Sequence, residues 1–74
     1  MYAAAVEPGR VTMVVSIEEL RLLNNALNEV VNGVEISSAA FNSRLGATRD
    51  QANQLLASVH AVLDSAEEMA PRDQ

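Results

Sequence analysis

Apolar residues in this chain recur at intervals that change along its length, and each change predicts an element. The stretch "VTMVV", residues 11–15, is short, apolar and mostly β-branched, which suits a strand better than a helix. From Ile17 the apolar positions fall three or four apart, through Leu20, Leu23, Leu27, Val30 and Val34, with Leu22, Ala26 and Val31 widening the stripe. That is the period of a helix laid against a core. Its start is marked by Ser16, which can accept from a free amide, and by Glu19, which can reach back to close a capping box, while Val15 can staple onto Leu20. The helix is predicted over about residues 17–32, ending where Asn32-Gly33 offers a left-handed residue.

The stretch "VEISSAAFNSRLG" predicts a second, shorter helix, capped by Ser37 or Ser38, with Ile36 stapling toward Phe41 and Gly46 as its stop. Thr48 and Gln51 form the next capping box, and a third helix follows. It carries Ala52, Leu55, Val59, Val62, Ala66 and Met69 at alternating spacings of three and four, with Leu56 and Leu63 beside that seam. A stripe broadened in this way is expected to be buried on more than one flank, against its own domain and against another copy. Leu55, Leu56, Val59, Val62, Leu63, Ala66 and Met69 are therefore the candidate self-association face. Pro71 marks the predicted end, and residues 71–74 are expected to fray. Residues 1–10, punctuated by Pro8-Gly9 and without a period, are expected to be a flexible arm preceding one helical domain over residues 11–70. The expected fold is all-α, a small three-helix domain with a short N-terminal strand that pairs only in an oligomer.

Composition sharpens this. Hydrophobic residues are 49% of the 74, with one Phe, one Tyr and no Trp, so the core must be aliphatic. A chain this short hides a small share of its apolar surface, which makes a homo-oligomer or a partner a reasonable expectation. Five arginines, no lysine and ten acidic residues give a net charge of -5, a poor balance for a general phosphate-binding surface. Without cysteine there is no disulfide, thiolate site or thiol nucleophile. The N-terminus lacks the basic start of a secretory signal, and no apolar run approaches the roughly 20 residues of a membrane span. The expectation is a soluble, cytoplasmic protein with no membrane contact.

Residues 38–60 resemble a helix-turn-helix segment. Phe41 and Leu45 would pack its first helix, Gly46 would make the turn, and Ala52 and Leu55 would seat the second. The resemblance implies that Arg44, Thr48, Arg49, Gln51, Asn53 and Gln54 face DNA or a partner, since these residue types can bond base edges in the major groove. It departs from the pattern at Asn42, where the family carries a small Ala. By segment, residues 1–37 sum to -3, 38–62 to +1 and 63–74 to -3, so two arginines stand between acidic ends. Upstream, "RVTMVVSIEELRLL" is similar to the opening of ribbon-helix-helix repressors, which would turn Arg10, Thr12 and Val14 toward DNA. Val14 cannot bond a base, however, and no single long helix follows Gly33. Capped amphipathic helices produce such matches readily.

Asn24, Asn28 and Asn32, four apart beside Asn25, form an amide stripe that reads as a solvated face or a hydrogen-bonding surface. His60 has Asp64 one turn on but no second His and no Cys nearby, so no metal or catalytic role is expected for it. There is no nucleophile motif and no glycine-rich phosphate loop. The chain is expected to be non-enzymatic, to need no cofactor, to self-associate and to bind a protein partner through helical faces, with a DNA-binding helix-turn-helix regulator as the alternative.

Overall fold

A computed structural model, describing residues 1–33 and 35–69, shows a β-hairpin followed by three helices. The strands are β1, Tyr2–Glu7, and β2, Arg10–Val14; the helices are α1, Ile17–Asn28, α2, Ser38–Leu45, and α3, Arg49–Met69. This overturns the expected all-α fold. "VTMV" does not wait for a second copy to find its partner. Residues 2–7, expected as part of a loose arm, pair with it antiparallel, in register Tyr2↔Val14, Ala3↔Met13, Ala5↔Thr12, Val6↔Val11 and Glu7↔Arg10.

The turn explains the pairing. Pro8 presets φ near -65° and Gly9 takes φ 80°, the arrangement of a type II turn, in which only the second central residue needs a positive φ. Arg10 clamps the turn, donating from Nε and Nη2 to Glu7 Oε1 at 2.9 and 2.6 Å. Both strands are exposed along their whole length. Among the described residues no strand Cα lies within 8 Å of a helix Cα. Beyond the chain itself, the Met1 ammonium ties the hairpin to the helices, 3.0 Å from the Glu19 carboxylate.

The helix starts follow the sequence closely. Ser16 Oγ accepts from the Glu19 amide at 3.0 Å while Glu19 Oε1 accepts from the Ser16 amide at 2.9 Å, closing the box. Ser37 caps α2 through the Ala40 amide, and Thr48 with Gln51 closes the box at α3 at 3.0 and 2.8 Å. Gly46 ends α2 in the left-handed region with φ 68°. Gly33 does not act this way: its φ is not positive, and α1 instead widens into one π turn, Glu29–Gly33, that carries Val31 into the core. The expected stripe member Val34, the stop at Pro71 and the tail lie outside the described residues.

α1 and α3 run side by side and hold the fold. Leu20, Val31, Phe41, Ala52 and Leu63 are buried, and Val31, Phe41 and Ala52 form a cluster that Leu27, Val30, Ile36 and Leu56 flank. At the other end of the helix pair Arg21 Nε meets Glu67 Oε2 at 2.9 Å. α2 serves chiefly to deliver Phe41. The molecule is flattened, measuring 44 × 33 × 16 Å.

Candidate functional site

The inner seam of α1 and its π turn runs through Ile17, Leu20, Asn24, Leu27 and Val31, and that of α3 through Ala52, Leu56, Val59, Leu63 and Ala66; Leu20, Val31, Ala52 and Leu63 are buried and the rest half-buried. Both seams alternate three and four, but α3's is offset from the one the sequence suggests. Leu56, Leu63 and Ala66 of the candidate self-association face turn inward to α1, and Leu63 is buried. Leu55, Val62 and Met69 turn out, 56%, 57% and 86% exposed. Val59 sits between the two groups, half-buried.

This offset gives the helical layer two unlike sides. On one, Leu23, Ala26 and Leu27 of α1 and Val30 of the π turn face Leu55 and Val59 of α3 across an open groove of about 370 Å³ with no charged residue in its lining. Leu22, also on α1, is exposed as well. On the other side Asn24, Asn25 and Asn28 face Asn53, His60 and Asp64 across an open groove of about 630 Å³, floored by Leu56, Ala57 and Ala61. His60 Nε2 lies 3.6 Å from Asp64 Oδ2, and Asn32 donates to Asn28 Oδ1 at 2.9 Å. The amide stripe seen in the sequence thus lies along one groove wall. Asn24 goes further, because it occupies a seam position and its Oδ1 is buried without a hydrogen-bond partner. Sequence reasoning read Asn24 as surface; only its spacing from Leu20, Leu27 and Val31 could have shown otherwise.

Three of the six residues of the candidate DNA or partner face are engaged within the chain. Thr48 and Gln51 are joined in their capping box. Arg49 donates from Nη1 to the Val31 carbonyl at 3.0 Å and from Nη2 to the Ile36 carbonyl at 2.8 Å. Its guanidinium stacks 4.5 Å from the Phe41 ring centroid. One side chain therefore ties the carbonyls left by the π turn and the following link to the start of α3. Arg44, Asn53 and Gln54 are exposed.

The Glu19 carboxyl is held below its ordinary 4.5 by the Ser16 amide hydrogen bond first and the Met1 ammonium second. Among the described residues no three His, Asp or Glu side chains gather in a way that could hold a metal ion, and no helix is long and apolar enough to cross a membrane. No family model, curated protein or solved structure matches this chain.

Proposed function

We propose that this chain is a small non-enzymatic interaction protein that self-associates through the apolar side of the α1–α3 layer and meets a protein partner on its amide side. The observation that carries the reading is the contrast between the two sides. The uncharged, leucine-rich side of the α1–α3 pair stands open, whereas domains ordinarily bury such a surface beneath a second layer. Amides of Asn25, Asn28 and Asn53, which both donate and accept, suit the backbone of a partner segment.

Sedimentation equilibrium tests the self-association: a homodimer is expected at concentrations up to about 100 μM, and a monomer throughout that range overturns the reading. A DNA-binding regulator stands second, supported by the glycine turn at Gly46 and the exposed Arg44, Asn53 and Gln54. It requires binding to duplex DNA that weakens steeply with salt. Because Arg49 is engaged with Phe41 and two carbonyls, and the chain ends are acidic, no binding tighter than about 10⁻⁴ to 10⁻⁶ M is expected at physiological salt. Saturable, sequence-dependent binding to duplex would reverse the order of the two readings.

A further inference from the structure

The hairpin carries an apolar face that none of the described residues covers. Antiparallel partners share a side of the ribbon, and the extra residue at Ala4 brings the Ala3↔Met13 and Val6↔Val11 pairs onto the same side. Val6 is 72% exposed, Val11 53% and Met13 51%. Two strands with neither a third strand nor a helix beneath them are marginally stable in water. The α1–α3 groove is a second open apolar surface, and among the described residues no strand of the same chain reaches it.

We infer that the hairpin is an exchanged arm: in a two-fold dimer, the Ala3, Val6, Val11 and Met13 face of each copy covers the apolar α1–α3 groove of the other. This rests on the self-association proposed above and supplies its geometry. Groove-to-groove stacking would leave both hairpins bare, and edge-to-edge pairing of hairpins would leave the grooves open. Reciprocal exchange covers both with one isologous contact.

Charge and area agree with it. Copies that each carry a net charge of -5 repel, which favours a contact made through uncharged surface. The groove lining has no charge, and at the hairpin tip Glu7 and Arg10 neutralise each other. The chain exposes 5670 Å², whereas area scaling gives a compact monomer of its mass about 4,400 Å². Hiding only half of that excess on each of two copies would bury about 1,300 Å², within the range of specific interfaces.

Complementation between two variants tests the exchange. Val11→Asp spoils the arm and leaves the groove; Leu55→Asp spoils the groove and leaves the arm. Each alone is expected to sediment as a monomer with wild-type helical circular dichroism, and an equimolar mixture is expected to recover dimer, because one intact arm then meets one intact groove. A mixture that stays monomeric overturns the exchange. If Val11→Asp still dimerises while Leu55→Asp does not, grooves meet directly, and the exchange fails while self-association stands. If Leu55→Asp alone still dimerises, hairpins pair with each other, and the exchange again fails. A wild-type monomer defeats both readings together. Since the chain has no cysteine, a Met13→Cys, Leu55→Cys variant repeats the test without added charge: oxidation should give a covalent dimer, and a chain linked only to itself overturns the inference.

Discussion

Phe41 and Asn24 mark the two extremes of how this fold treats a side chain. Phe41 is the largest fully buried residue, and its ring also supports the Arg49 guanidinium that holds the Val31 and Ile36 carbonyls. Removing a buried Phe side chain typically costs about 3–5 kcal/mol. A chain of this length has roughly 4–11 kcal/mol in total, so Phe41→Ala should leave it partly unfolded at room temperature, as read by urea titration of helicity. A loss under about 1 kcal/mol would mean that the cluster is not the core. Asn24 is the opposite case, a polar side chain in the seam with its Oδ1 buried and unpaired. Leaving such an acceptor unsatisfied costs about 1–3 kcal/mol. Asn24→Leu is therefore expected to raise the urea midpoint while weakening the preference for one helix register, the usual role of a lone seam Asn. A lower midpoint would show that the amide is satisfied by water in the groove.

Elements were legible in the sequence wherever a short-range hydrogen bond defines them. The Ser16–Glu19 and Thr48–Gln51 boxes, the Ser37 cap and the Gly46 stop need only residues within four positions of each other, and all are found. Besides the π turn that stands where Asn32-Gly33 was expected to make a left-handed stop, two features were not legible. The hairpin was hidden because "YAAAV" has no β-branched alternation and because a Pro-Gly turn of type II is not among the primed turns that favour tight hairpins. The α3 seam was misplaced by one residue because Leu55 and Leu56, like Val62 and Leu63, are both apolar, so periodicity alone admits either stripe as the inner one. The partner helix decides, and the partner's own stripe is interrupted by Asn24. At this scale the Ser16–Glu19 box yields a pH prediction. Glu19's pKa is lowered in the folded chain, so its contribution is present above the ordinary carboxylate value of 4.5 and is lost as pH falls through the folded value below it. Helicity should weaken on acidification below about pH 4.5, and Glu19→Gln should flatten that part of the profile. An unchanged profile would show that Glu19 does not carry the acid sensitivity.

For the whole molecule, the two readings of α3 lead to different thermodynamics, and neighbouring residues separate them. Leu63 is buried between the helices of its own chain, whereas Val62 looks out with 57% of its surface exposed. Burial inside one chain stabilises at every concentration; burial between chains stabilises by mass action and makes the unfolding temperature rise with concentration. Leu63→Ala should lower the unfolding free energy by about 2–5 kcal/mol at all concentrations while leaving the slope of unfolding temperature against concentration in place. Val62→Asp should do the reverse, keeping the dilute-limit unfolding temperature close to that of the wild type and flattening the slope. Calorimetry across a hundredfold range of concentration reads both quantities from one series. Exchange of the two behaviours between Leu63 and Val62 would put the inner seam back at Leu55, Val62 and Met69, and would turn the apolar side of the layer into its core.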